Sequence, residues 1–482
     1  MSAGARPAPR WLHGRLADLL LGCHGGYLAL FIGFLLFGPT WRAAQPGWLA
    51  PLLILLVSTP HYGATLVRVY EQRAERRAYA LYAFGATFAL LALFVLGVRN
   101  AAVGTLLFTA YLTWSPWHYT AQNFGVAMTF LGRRGLAPDR TGRRLLHAAF
   151  ILSFVLTFLV MHREDGAARG LAEGGVHLAR LGLPDPFASV AIPIVAIACA
   201  VTFAAALPGL LRRGSIADLA PLGLLALSQC VWFVLPDLFR VAGTSGGVEA
   251  LAFDHRAYYF NWIVLAHAVQ YLWITSYYAR AGGDWPGLAP YLGKTLLAGN
   301  VAWLVPALVF APQLLGGAAL ETDVALLVAA LVNLHHFVVD GAIWKLRRAK
   351  VGDVLIRSRS GSPAPVVRGR RLRPAVVAFW SGAALLLGLA LFEFGAREIA
   401  IPGRASAGDL DGASRWLDRL GRVGRDSATL RLRLGVAFAE EGRPAEAQAA
   451  FARALELAPD WPPAREAAAW SSAAPPPGGR RS

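Results

Sequence analysis

The chain is poor in cysteine and in charge. Its three cysteines, Cys23, Cys199 and Cys230, lie far apart inside apolar segments. They form no CxxC pair and no disulfide framework, so they read as small buried core residues. Charged residues make up 16% of the chain, against roughly 25% in ordinary soluble domains. That deficit excludes a conventional soluble surface over most of the length. Lysine is nearly absent, three residues against 43 arginines, which marks a GC-rich, bacterial coding sequence and carries no physics of its own. The net charge of +17 is not laid out as a basic stripe interleaved with exposed aromatics, the pattern of single-strand binders. No nucleic-acid partner is therefore expected.

What is present is apolar. Hydrophobic residues are 56% of the total and the mean hydropathy is +0.47. Repeated apolar runs of about 20 residues make this an all-α, polytopic transmembrane helical bundle. We expect about eleven spans, at 17–38, 47–70, 78–98, 101–131, 146–162, 187–211, 217–239, 256–279, 289–313, 323–346 and 375–395. Alternate connections are basic: Arg6, Arg10 and Arg15, then Arg73, Arg76 and Arg77, then Arg133 to Arg144, Arg212 with Arg213, and Lys345 through Arg373. The others carry acids such as Glu164, Asp165, Glu321 and Asp323. Positive-inside alternation then gives an N-in, C-out protein of the bacterial inner membrane. Residues 1–16 form a basic cytoplasmic N-terminus, followed by an uncleaved first span within a transmembrane domain of 17–395. Residues 346–374 form a basic cytoplasmic loop beside the lipid headgroups.

Ionisable side chains at membrane depth are expensive and mark functional sites. The stretch Asn333-Leu334-His335-His336-Phe337-Val338-Val339-Asp340 places Asn333, His336 and Asp340 on one helical face, with His335 about 100° away. Three more spans repeat the arrangement, with Ser58, His61 and Thr65; with Ser115, His118 and Gln122; and with His267, Gln270 and Tyr271. The four spans run in the same direction. His61, His118, His267 and His336 lie 7, 15, 13 and 11 residues from the next inside arginine, or roughly 10 to 22 Å. They therefore share one layer. Neutral imidazole is a common ligand of iron, copper and zinc, and carboxylate joins it in open iron sites. We expect His61, His118, His267, His336 and Asp340 to hold a metal, iron in the first instance, with copper, zinc or haem as alternatives. Gln122, Gln270, Tyr271, Asn333, Thr65 and His335 would surround them and orient the rings. His24 is the one other histidine placed to join. Pro60 and Pro116 beside two of the candidates suggest a local opening. Trp114, Trp117 and Trp273 suit a hydrophobic tunnel, whereas ordinary packing or an interfacial belt suits Trp262 and Trp344 better.

The clustering resembles that of membrane-embedded histidine-rich oxygenases, namely desaturases, alkyl hydroxylases and bacterial carotenoid-cleaving enzymes. Their HxxxH and HxxHH boxes are not reproduced, since only His335-His336 is a double histidine. The resemblance implies a metal-dependent oxidoreductase acting on a lipid or other apolar substrate.

The tail changes composition near residue 396. Leu434, Gly435, Phe438, Gly442, Ala447, Phe451, Ala454 and Pro459 fall at the positions of a 34-residue unit over 428–461. Gly408, Ala413, Leu417 and Leu420 match the second half of a preceding unit. The segment 405–470 thus resembles a tetratricopeptide repeat, with Arg431 at the usual tryptophan position and Arg425 at the usual proline. The resemblance implies a short helical periplasmic domain that grips a protein partner. One and a half repeats cannot bury a large core alone, so we expect the unit to lean on the membrane domain. Residues 471–482 read as a disordered tail. A lipid-linked glycosyltransferase or envelope-polymer assembly protein, and a non-enzymatic anchored scaffold, are the competing functions. The first would need acids on outside loops, and the loop from Gly38 to Gly47 has none. The second leaves Asp340 unexplained.

Overall fold

A computed structural model of the protein describes residues 9–71, 73–164, 175–241, 253–281, 285–310, 324–346, 349–357, 374–459 and 461–472. Asp165, Glu321, Asp323, most of the 346–374 loop and residues 473–482 lie outside them. The described chain is all-helical, with a single isolated bridge between Arg163 and Leu183. In order the helices are α1 (Arg15–Gly22), α2 (Gly25–Gly38), α3 (Leu49–Glu71), α4 (Leu81–Arg99), α5 (Ala101–Arg133), α6 (Arg140–His162), α7 (Asp185–Leu211) and α8 (Ile216–Leu238). They continue with α9 (Phe253–Ala281), α10 (Leu288–Phe310), α11 (Ala325–Ile343), the short α12 (Ala349–Leu355) and α13 (Pro374–Ser406). The tail adds α14 (Leu410–Arg422), α15 (Ala428–Glu440), α16 (Pro444–Leu457) and α17 (Pro462–Ser472).

Among the described residues, eight helices are long and apolar enough to cross a membrane, or nine if α1 and α2, bent by 57°, form one span. Eleven were expected. The difference lies in α5 and α9, which at 33 and 29 residues have the length. Their interiors carry His118, Gln122 and Asn123, and His267 and Gln270, which dilute the apolar run. On α7, Val190, Ile194, Ile197 and Val201 are all more than half exposed, the mark of a face turned to lipid. α11 is the opposite case. Leu327, Leu331 and Phe337 are buried against Phe94 of α4, Leu107 of α5 and Tyr62 of α3, so this helix sits at the centre of the bundle.

Local breaks set the faces. Pro60 has no N–H to give to the preceding turn, and the strain is absorbed by a π-helical turn at Ile54–Ser58 with Thr59 Oγ1 bonding the Ile54 carbonyl at 3.3 Å. A single wide turn rotates everything beyond it, which is why π turns recur at functional sites. Gly63 and Gly299 let α3 and α10 meet backbone to backbone. A Cβ at Gly63 would overlap the Thr295 carbonyl oxygen, and one at Gly299 the Thr59 carbonyl oxygen. Neither obstacle is a flexible side chain, so we expect Gly299→Ala to cost at least the roughly 1–3 kcal/mol typical of overpacking. A lower thermal midpoint and loss of the monodisperse peak on size exclusion check it; unchanged behaviour would contradict the close crossing.

The tail leans on α13. Phe392, Ala396 and Ile401 pack with Leu410, Leu417, Leu434, Phe438 and Phe451. Arg425 holds Glu393 through two bonds of 2.8 Å, and Arg397 Nε approaches the same carboxylate at 2.9 Å. Arg431, at the would-be tryptophan position, is buried and bonds Asp426 at 3.0 Å and Asp418 at 2.7 Å. Removing one partner of such a buried cluster costs roughly 3–5 kcal/mol. Glu393→Ala should therefore free the tail for limited proteolysis near residue 405 while the membrane domain stays intact, read by the fragment pattern.

Candidate metal centre

Four helices, α3, α5, α9 and α11, each contribute one histidine to a common point. One ring nitrogen from each of His61, His118, His267 and His336 lies within 4.8 Å of the other three, and all four residues are buried. His61 Nε2 is 2.8 Å from His336 Nε2, and His118 Nε2 is 3.2 Å from the same atom. The rings pack edge to face, with centroids 4.2 to 5.0 Å apart.

The surrounding hydrogen bonds decide which nitrogen carries the proton. Thr65 Oγ1 donates to Asp340 Oδ1 at 3.1 Å, and Tyr271 donates its hydroxyl to the same oxygen at 2.6 Å. With its proton so placed, Thr65 Oγ1 accepts from His336 Nδ1 at 2.9 Å. His336 is thereby fixed as the Nδ1–H tautomer, and Nε2 presents a lone pair. His61 Nδ1 is buried with no hydrogen-bond partner, and its Nε2 faces His336 Nε2. The 2.8 Å separation of these two nitrogens is a hydrogen-bond distance, and a shared cation would take the place of that bond. His267 Nε2 is buried with no hydrogen-bond partner. An orphan of this kind in low-dielectric surroundings costs roughly 1–3 kcal/mol, and a metal ion would remove the penalty. The residues fit such an ion. Tetrahedral nitrogens at 2.0–2.1 Å from a metal lie about 3.3 Å from each other, so closing the group takes small ring shifts. A haem does not fit, because nitrogens separated by 2.8 and 3.2 Å leave no slot for a macrocycle.

The expected ligand Asp340 stands aside. Its Oδ2 is 3.6 Å from His336 Nε2, and Oδ1 is occupied by Thr65 and Tyr271. It acts on the group through His336, in a carboxylate–threonine–histidine chain. Trp344 Nε1 adds a bond of 3.2 Å to the Tyr271 hydroxyl. Thr65 and Tyr271 thus orient a ring, but that of α11 rather than those of their own helices. Gln122 and Gln270 touch none of the four rings through hydrogen bonds. They bond each other at 2.6 Å and reach the His267 and Gly22 carbonyls at 3.3 and 2.8 Å. Helix crossing brings the two amides together and their donors are consumed there. Asn333 accepts from Tyr62 at 2.8 Å and donates to Ala329; it positions Tyr62, whose ring lies against His61 and His336. His335 faces away and pairs with Tyr70 at 3.0 Å, as its 100° offset implies.

Two residues escaped the sequence reading. Tyr62 follows His61 directly, but nothing in its spacing singles it out. Asn123 is one position beyond the i+4 partner of His118, yet it is Asn123 Oδ1 that meets His24 Nε2 at 2.9 Å, while its Nδ2 donates to Gln229 at 3.0 Å. His24 sits at the break between α1 and α2 with φ +62°. It stays outside the four-nitrogen group.

A cavity of ≈ 280 Å³ reaches the centre from one side. Its walls include Trp114, Trp117, His118, Phe337, Asp340 and Trp344, with Lys345 at the end of α11. Trp344 is therefore a wall of this space as well as a packed residue. Compared with protein-family models, with curated proteins and with solved structures, the chain finds no match.

Proposed function

We propose that this is a metal-dependent oxidoreductase of the bacterial inner membrane, acting on an apolar substrate that enters from the bilayer. The observation that supports it most is the convergence of four buried imidazoles, with His61 Nδ1 and His267 Nε2 left without hydrogen-bond partners. His61, His118, His267 and His336 would hold one first-row ion. Imidazole suits iron, copper, zinc and nickel alike, and a redox reaction calls for iron or copper, of which we take iron. Such an ion, when bound, supplies dioxygen activation. Written as a hydroxylation, the balance is substrate C–H with dioxygen, two protons and two electrons from an external carrier, giving C–OH and water. Asp340 and Thr65 fix the His336 tautomer, Tyr271 holds the carboxylate, and Trp114, Trp117 and Phe337 keep bulk water from the apolar chain. Eleven spans with N-in, C-out topology would place the tail in the periplasm. There we read it as a tetratricopeptide-like module for a protein partner. The test is oxygen uptake by purified, iron-loaded protein with a reductant and an alkyl substrate. Uptake that depends on both supports the reading. Stoichiometric iron without uptake, on any apolar substrate, overturns the oxidoreductase assignment and leaves only the metal site.

A further inference from the structure

The cavity that meets the metal centre is lined by chemically distinct groups: His118 and Asp340, the rings of Trp114, Trp117 and Phe337, and Lys345. The chain has three lysines. Lys294 is paired with Glu71, whereas Lys345 has no acidic partner among the described residues. A cation on a flexible stem at a helix end, next to an aromatic-lined space, is a point-charge receptor for an anion. The volume of ≈ 280 Å³ lies at the lower edge of the roughly 300–1,000 Å³ range of small-molecule sites. It has room for one chain rather than two.

Resting on the proposed oxidoreductase reading, we propose that the cavity binds a single-chain amphiphile with an anionic head, a carboxylate or a phosphate monoester. Lys345 takes the head, and the chain runs past Trp114 and Trp117 toward His118. Seven positions separate His336 from Ile343 at the end of α11, about 10 Å along the helix, and Lys345 lies two residues beyond. A span of this length sets several methylenes between the head and the centre. The bond presented to the centre would then lie mid-chain, not beside the head.

The experiment uses terminally brominated twelve-carbon chains bearing a carboxylate, a phosphate monoester or an alcohol, with full-length protein in detergent. Bromine quenches Trp114 and Trp117, and Trp117→Phe identifies their share of the signal. The two anions are expected to bind at least tenfold more tightly than the alcohol. Lys345→Gln should abolish that gap, and Lys345→Arg should retain most of it. An equal affinity for the alcohol, or a gap that survives in Lys345→Gln, overturns the assignment. A parallel sample in discs of brominated diacyl phospholipid distinguishes a lipid headgroup from a free amphiphile. Weak quenching there supports the one-chain limit, and quenching equal to that by the single-chain ester overturns it. Metal content on the same samples separates this inference from the reading beneath it. Metal present without head-group selectivity removes the cavity assignment alone; selectivity without metal removes the centre alone.

Discussion

His336→Ala protein should purify with almost no bound metal. His336 is the hub of the group, since both His61 and His118 approach its Nε2, at 2.8 and 3.2 Å. Removing it takes away one of four donors, and with it the nitrogen that both His61 and His118 approach most closely, leaving His61, His118 and His267 without their common neighbour. The loss of affinity should exceed the roughly 10–100-fold that outer partners of a metal ligand typically cost. His335→Ala is the matched control. It deletes the adjacent imidazole, which bonds Tyr70 and not the centre, and should leave metal content unchanged. Metal analysis of the two proteins side by side reads the difference. Equal metal in both would mean that the four rings are ordinary helix contacts.

The second large effect is expected from a residue that touches no metal. Asp340 accepts from Thr65 and Tyr271, and this fixes the proton of Thr65 so that its oxygen can accept from His336 Nδ1. Asp340→Asn keeps the shape but offers an amide where the carboxylate was, and the tautomer of His336 is no longer enforced. Metal affinity should fall roughly 10–100-fold. Thr65→Val, which keeps the branched shape without the hydroxyl, should fall similarly, and Thr65→Ser should recover most of the loss. A merely structural role would lower thermal stability in both threonine variants without this pattern in a competitive metal titration. If Asp340→Asn binds metal as tightly as the wild type, the chain from carboxylate to imidazole has no part in the site.

The four histidines were readable because depth is a one-dimensional quantity. Counting residues to the nearest basic flank places a side chain in a membrane layer, and chance does not put four there together. Their partners were less readable. The i, i+4 rule joins Thr65 to His61 and Gln122 to His118, since those pairs lie on one face. At a point where four helices converge, however, the next turn of one helix faces the ring of another, so Thr65 serves His336. Gln122 meets Gln270 for the same reason. Azimuth was lost at the breaks. Neither the π turn at Ile54–Ser58 nor the bend at His24 follows from apolar periodicity, and each turns the residues beyond it by an amount the sequence pattern does not encode. The helices α5 and α9 show the limit from the other direction. The polar residues that build the site are the ones that blur the apolar signal by which spans are recognised. In the tail, the positions of Gly435 and Phe451 carry a packing relation that the structure makes concrete, since a Cβ on Gly435 would meet the Phe451 ring.

The proposed centre requires a cation shared by imidazoles from α3, α5, α9 and α11. X-ray absorption on protein purified from its membrane without added metal tests this most directly, because the edge names the element and the fine structure counts its neighbours. The expected result is one first-row metal per chain, with a shell of about four imidazole nitrogens near 2.0–2.2 Å. Protein free of stoichiometric metal, or metal in a shell dominated by sulfur or carboxylate oxygen, would contradict it.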